Sequence, residues 1–237
     1  MPGDALIVIP ARYGSTRFPG KPLAEIAGVP MIVRVARLAA AVRGAAPPVV
    51  ATDDRRILEV VREAGFEAEM TARSHRSGTA RVAEVAARRS NPIVVNVQGD
   101  EPLLPVRGVE KLIEVLQADR RCVMATLATP SRGAEAIARP DVVKVAVDRD
   151  GHALYFSRSA IPHGAEVFLH HIGVYAFRRA FLLRFCSLPR GPFEKAEGLE
   201  QLRALENGHR IRVVHCRAQT CGVDRPEDIK RVETRLR

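Results

Sequence analysis

ALIVIPARYGSTRFPGKPL, residues 5–23, is the stretch on which the fold turns. Its first six residues form a continuous apolar, β-branched run, the pattern of a strand buried on both faces. A glycine-containing, cationic segment, residues 11–23, follows at once. A loop at the carboxyl end of a buried parallel strand is where α/β sheets bind their ligands. The segment is not a P-loop, which needs four residues between its glycines and a Ser or Thr after its lysine. Five residues separate Gly14 from Gly20, and Lys21 is followed by Pro22. Phosphate bound here must instead meet side-chain charge. Ala11 ends the strand, and Arg12, Arg17 and Lys21 follow within ten residues, interleaved with Gly14, Ser15 and Thr16. Three cations so close repel one another without an anion, and arginine forks suit planar oxygens while lysine acts as a point charge.

Outward from this loop, PPVVAT, NPIVVNV and RCVMATLAT read as further strands. MIVRVARLAAAV, DDRRILEVVREAG, GTARVAEVAARR and GVEKLIEVLQAD carry helical periodicity, and REAGFEAEM also reads as helix. Strand and helix alternate four times. The alternation predicts an α/β fold, a mostly parallel Rossmann-like sheet flanked by helices on both faces. From about residue 140 the pattern becomes antiparallel, with VVKVAVD and HALYFSRS joined by Arg149-Asp150-Gly151, then HHIGVYAF. A helix over EKAEGLEQLRALENG, a strand IRVVHC and a last helix opened by Asp224, Pro226 and Glu227 complete a smaller lobe. No linker or internal repeat interrupts the 237 residues, so a single domain is expected.

Composition narrows the function. The net charge is +10, which favours anionic ligands. Yet there is no Trp, only three Tyr and no basic block interleaved with aromatics, so nucleic acid is not the expected partner. No apolar run approaches the roughly 20 residues of a membrane span, and MPGDALIVIPAR lacks the features of a secretory signal. A cytoplasmic protein with no membrane partner is expected. The four cysteines make no CxxC pair, so neither a disulfide framework nor a zinc site is implied.

Two further motifs carry chemistry. In VNVQGDEPLL a buried strand runs into Gln98, Gly99 and Asp100, placing a carboxylate at a strand end beside the cationic loop. That suits Mg²⁺, which takes one or two protein carboxylates together with phosphate oxygens; the same acids could simply cap the next helix. Asp224 in CGVDRPED is a candidate second carboxylate and equally a good N-cap. In TARSHRSGTARVAEV, Arg73, Ser77, Gly78 and Thr79 crowd donors at a helix start, ready for an anion or a base edge, or for plain capping. No GxSxG and no nucleophile–base pair stands out.

These motifs, in this order, resemble the 3-deoxy-manno-octulosonate (Kdo) cytidylyltransferases of the sugar nucleotidyltransferase superfamily. IPARYGSTRFPGKPL, VATDD, ARSHRSGTARVAEV, VVNVQGDEPLL, ALYFSRSAIP, HHIGVYAF, LEQLRALENG and GVDRPEDIKRV carry the likeness over nearly the whole chain. The resemblance implies CTP and an acidic sugar as substrates, Mg²⁺ as cofactor, release of pyrophosphate, and a homodimer. Within one domain, 1–237, it makes 1–139 mainly CTP-binding and 140–215 mainly an acceptor-binding and dimerisation lobe, with 216–237 returning to the metal site. It assigns the triphosphate to Arg12, Ser15, Arg17 and Lys21, and cytidine to Arg73, Ser77, Gly78 and Thr79. Asp100 and Asp224 become metal ligands, with Arg12, Arg17, Lys21 and Asp100 acting in catalysis. The acceptor falls to Gln98, Arg158, His171, Tyr175, Glu200 and Gln201.

One departure bears on the acceptor. Between SRSAIP and HHIGVY this chain has only HGAEVFL, residues 163–169, where the family usually carries a longer loop. The shortening opens the alternative of a smaller anionic acceptor such as a phosphonate. A nucleotide-sugar glycosyltransferase would need a DxD metal motif at a strand end, which neither Asp53-Asp54 nor Gly99-Asp100-Glu101 supplies.

Overall fold

The structure, a computed structural model, describes residues 4–14, 18–217 and 222–236. Two compact units divide the chain, Met1–Val106 with Gln219–Arg237, and Arg107–Ala218.

In the first unit β1 (Ala5–Ala11) leads through the cationic loop to a 3-10 turn at Lys21–Leu23 and a two-stranded antiparallel ribbon, β2 (Glu25–Ile26) and β3 (Val29–Pro30). Then come α1 (Met31–Ala40), β4 (Val49–Thr52), α2 (Arg55–Glu63), β5 (Glu67–Met70), α3 (Gly78–Ala87) and β6 (Ile93–Asn96). The strands lie in the order β6-β1-β4-β5, all parallel. All seven residues of the central β1 are buried, which is why its sequence is apolar without alternation.

One stretch expected as helix divides. α2 ends at Glu63, Gly65 turns the chain at φ +84°, and EAEM pairs with β4 as β5. At this end of the sheet the alternation survives as Glu67 and Glu69 against buried Ala68, and Arg89 ion-pairs with both glutamates. Charges along an edge strand discourage pairing with another chain.

The second unit contains α4 (Val106–Ala118), β7 (Met124–Arg132), α5 (Ala134–Ala138), β8 (Lys144–Val147), β9 (Ala153–Ser157), β10 (Val167–Arg178), α6 (Arg179–Phe185), α7 (Pro192–Glu197), α8 (Leu202–Glu206) and β11 (Arg212–His215). β7, expected as another strand of the parallel series, runs antiparallel to β10 and parallel to β11. α4 lies against it, since a Cβ on Gly108 would come within 3.0 Å of the Leu127 side chain. The two compact units part between Val106 and Arg107, at the first residue of α4. β8 and β9 form the expected hairpin, with Gly151 at φ +77°. The single helix expected over EKAEGLEQLRALENG is two, α7 and α8, separated at Gly198 with φ +63°.

The last helix, α9 (Glu227–Leu236), returns to the first unit. Val223 and Val232 are buried in a cluster with Ile26 and Met31, and Glu233 accepts a 2.8 Å hydrogen bond from the Ala27 amide. This docking fixes the segment that carries Asp224. No helix among the described residues is long and apolar enough to cross a membrane.

Candidate active site

The cationic loop has a rigid foot. Gly20 sits at φ +72° with the Tyr13 ring so close that a Cβ would meet it at 3.2 Å. Arg56 lies 3.4 Å above the centre of the same ring and is gripped by both oxygens of Asp54, at 2.9 and 2.7 Å. Pro22 is buried in the first turn of the 3-10 segment, where its missing N–H costs nothing. Lys21 is thereby held with its side chain only 15% exposed.

The ammonium of Lys21 donates to Asp100 Oδ2 at 2.6 Å and to the Val223 carbonyl at 2.9 Å, and Asp224 Oδ1 lies 3.7 Å away. Gly99 makes this approach possible, because a Cβ there would stand 3.0 Å from the Pro10 carbonyl. The third strand-end segment supplies α3. Ser77 caps it by accepting from the Ala80 amide at 3.2 Å, and a Cβ on Gly78 would meet Pro10 Cγ at 3.2 Å. Sequence reading left capping and ligand binding open for Ser77, and capping is made here.

A cavity of about 230 Å³ gathers these pieces, all from the first unit. Of the residues singled out from sequence, Ala11, Arg12, Lys21, Ser77, Gly78, Gln98, Asp100 and Asp224 line it. Gly14 and Arg73 are exposed and outside the lining, and Thr79 is buried, accepting from Asn96 Nδ2 at 3.3 Å. Ser15 and Arg17 lie outside the described residues.

Three participants were given no role by the sequence reading. His75 lines the cavity and pairs with Glu84 at 2.5 Å; Glu84 also accepts from the Ala72 amide at 2.9 Å, closing the 72–75 turn onto α3. Burial works against the Glu84 carboxylate, but these bonds and Arg88 bring its pKa below the ordinary value. Arg81 is buried and ties Asp53 Oδ2 at 2.8 Å and Thr71 Oγ1 into the cavity wall. Its place in a helical pattern gave no sign of this, although the acid of VATDD that it binds was legible.

The third is Glu101. Its pKa is pushed up to about 8 by burial first and then by Asp100, with Lys21 pulling the other way and Asp224 adding to the rise. Its Oε2 is buried with no hydrogen-bond partner among the described residues. Asp100 and Asp224 thus flank one ammonium with Glu101 buried beside them, and carboxylate oxygens of this kind fit a small hard cation such as Mg²⁺. A second acidic group, Asp148, Asp150 and His152 in the β8–β9 hairpin, is an Asx turn instead. Asp148 Oδ1 accepts from the Asp150 and His152 amides at 2.9 and 2.8 Å, and Arg210 covers its other oxygen at 2.9 Å.

Five residues assigned to the acceptor lie in the second unit. Arg158 is held by Glu197, whose carboxylate accepts from the Arg158 amide at 2.8 Å and whose carbonyl accepts from Arg158 Nε at 2.7 Å. Beneath it the fully buried Lys144 donates to the carbonyls of Arg139 at 3.0 Å, Val142 at 2.7 Å and Arg158. Burial lowers the Lys144 pKa, partly offset by Glu197 and Asp141.

His171 and Tyr175 are ring neighbours, 5.5 Å apart, with Phe156 edge-on to His171 at 4.9 Å. Burial holds the His171 imidazole down to a pKa of about 3, with His170 adding to the effect, and raises the Tyr175 phenol with help from Glu200. Glu200 accepts from Arg203 at 3.3 Å, and the buried Gln201 Nε2 has no partner among the described residues.

A cavity at the carboxyl ends of parallel strands, in which a cation and two carboxylates converge on one wall, has the makings of a nucleotidyltransferase site. Residues 6–211 match the family model described as cytidylyltransferase. The chain is 49% identical to the 3-deoxy-manno-octulosonate cytidylyltransferase of Syntrophotalea carbinolica, over 97% of each chain. It is 50% identical to the protein of the same name from Syntrophobacter fumaroxidans, over 95% of this chain and 94% of that one. A solved structure of CMP:2-keto-3-deoxy-manno-octonic acid synthetase complexed with CTP matches at a TM-score of 0.93 and 44% identity, covering 98% of both chains. HddC from Yersinia pseudotuberculosis, at a TM-score of 0.72 and 13% identity, shares the fold. The chain belongs to the cytidylyltransferase family, among the 3-deoxy-manno-octulosonate cytidylyltransferases.

Proposed function

We propose that this enzyme transfers CMP from CTP to 3-deoxy-manno-octulosonate and releases pyrophosphate. The observation that carries the reading is the convergence of Lys21, Asp100 and Asp224 at one wall of the cavity. A nucleoside triphosphate needs both parts of that wall, a cation for its oxygens and carboxylates for its metal. In this reading Arg12, Arg17 and Lys21 bind the triphosphate, and Ser77, Gly78 and Arg73 receive the cytidine end. Asp100 and Asp224 hold Mg²⁺, which when bound neutralises phosphate oxygens and fixes their orientation.

The acceptor hydroxyl loses its proton to water, and its oxygen forms a bond to the α-phosphorus as the bond to the leaving pyrophosphate breaks. The chain's own contribution is placement and fixed charge. Lys21 meets the negative charge that grows on the departing oxygens. In the second unit Arg158, His171, Tyr175, Glu200 and Gln201 position the acid, the guanidinium of Arg158 being suited to its carboxylate. The short 163–169 segment favours a second reading, a smaller anionic acceptor such as a phosphonate.

The working form is taken to be a cytoplasmic homodimer, and exposed Leu154, Val167 and Phe193 on the second unit support the association. Light scattering on the purified protein tests it, a monomer mass at micromolar concentration counting against it. The activity itself is tested by pyrophosphate release from CTP and Mg²⁺ with Kdo, related 2-keto sugar acids and small phosphonates. Release with Kdo is expected; release only with phosphonates would transfer the assignment to the second reading, and silence across the panel would reject both.

A further inference from the structure

The β7–β10 ladder is regular except at one place. Between Ile172 and Tyr175 the register slips, so that Ile172 pairs with Leu127 and Tyr175 with Thr126, leaving Gly173 and Val174 as the extra residues of a bulge. Bulges re-aim side chains, and they are frequent beside functional sites. The buried Thr126 hydroxyl faces three groups here: the Val174 carbonyl at 2.8 Å, the Ile172 carbonyl at 3.3 Å and His171 Nε2 at 3.0 Å.

A threonine hydroxyl has one proton and can accept on its lone pairs, whereas a carbonyl can only accept. The single proton therefore goes to a bulge carbonyl, Val174 being the nearer. Toward His171 the hydroxyl has only a lone pair to offer. Nε2 must then carry the imidazole proton and donate it to Thr126. We infer that Thr126 fixes His171 in the Nε2–H form and so makes its bare Nδ1 a hydrogen-bond acceptor that selects a hydroxyl, and refuses an ionised oxygen, on the substrate.

The surroundings agree with a neutral ring. His171 is 7% exposed, Phe156 stands edge-on to it, and burial drives its proton affinity far down. A neutral ring with its one proton committed to Thr126 offers nothing to a carboxylate or phosphonate oxygen. It can accept from an alcohol. Thr126 is thus a positioning residue acting through His171, and the acceptor class it favours is a polyhydroxylated acid over a small phosphonate.

This inference rests on the proposed placing of His171 in the acceptor site, and the experiment separates the two. Nitrogen-15 NMR of histidine-labelled full-length protein reads the tautomer without any substrate. The expected spectrum has a protonated Nε2 and a bare Nδ1 for His171, assigned through His171→Gln. Proton on Nδ1, or on both nitrogens, at neutral pH overturns the inference whatever the acceptor proves to be.

Thr126→Val removes the hydroxyl at nearly constant volume, and Thr126→Ser restores it. Losing one net hydrogen bond should lower kcat/KM for Kdo about tenfold in the valine variant, through the acceptor KM, with the KM for CTP unmoved and serine recovering the loss. Equal acceptor KM in all three proteins, with the tautomer as inferred, removes Thr126 and His171 from acceptor selection. Wild-type turnover of phosphonates but not sugar acids sinks the proposed function and the hydroxyl preference together, leaving the tautomer result intact.

Discussion

Replacing Lys21 by alanine separates charge at the reacting phosphate from simple loop structure. Its ammonium is 15% exposed and sits 2.6 Å from Asp100 and 2.9 Å from the Val223 carbonyl, so it acts in a partly desolvated setting. A unit charge about 4 Å from a developing negative charge, at an effective dielectric constant near 20, contributes on the order of 4 kcal/mol. Every 1.36 kcal/mol is a factor of ten in rate, so Lys21→Ala should lower kcat about a thousandfold. That size matches the loss typical of deleting one fixed transition-state donor.

In the resting protein the same substitution leaves Asp224, 51% exposed, largely solvated and Asp100, 34% exposed, with partial access to water. Stability should therefore change little. The assay is pyrophosphate release at saturating CTP and acceptor, accompanied by a urea unfolding curve. Lys21→Arg keeps the charge in a larger planar fork and should recover only part of the loss. A kcat within tenfold of wild type in a normally folded Lys21→Ala protein would refute the role given to this charge.

Asp224→Asn should raise the Mg²⁺ concentration for half-maximal rate at least tenfold while leaving kcat at saturating metal less affected, and a Mg²⁺ titration at fixed CTP checks it; an unchanged midpoint removes Asp224 from the metal site. Arg203→Met strips the buried Glu194 of two hydrogen bonds, at 2.8 and 2.6 Å. Breaking a buried pair from one side costs about 3–5 kcal/mol, and because Arg190 still reaches Glu194 at 2.8 Å the lower end is expected in urea unfolding. His171 supplies a pH dependence. Its pKa falls from 6.5 to about 3 on folding, so below pH 6.5 the unfolded chain takes up a proton that the native state refuses. Its contribution to stability is complete above pH 6.5 and is lost as the pH falls towards 3. Between pH 6.5 and 5 the wild type should lose about 2 kcal/mol that His171→Gln does not; parallel stability curves for the two proteins would contradict the neutral buried ring.

The first unit was largely legible because its decisive strands are buried on both faces, and burial on both faces writes an uninterrupted apolar run. β5 was not, since its edge position leaves Glu67 and Glu69 outward and its four residues mimic the charged face of a helix. β7 was legible as a strand but not in its pairing, because an apolar run carries no mark of the direction of its neighbours. Around the cavity, Lys21, Asp100 and Gly99 could be found, being glycine and charge at strand ends. Arg81 and Glu84 could not, because their partners, Asp53 and Thr71 for the one and His75 for the other, are set by tertiary approach. Thr126 was invisible for the same reason: its meaning depends on His171, 45 residues away, and on the bulge that follows it.

The central claim is tested most directly by phosphorus NMR of the products formed from CTP, Mg²⁺ and Kdo by the wild-type protein. The expected result is a phosphodiester signal joining CMP to the sugar acid, appearing in step with free pyrophosphate, and far weaker conversion when UTP or ATP replaces CTP. Free CMP without a sugar adduct, or equal conversion of all three nucleotides, would contradict it.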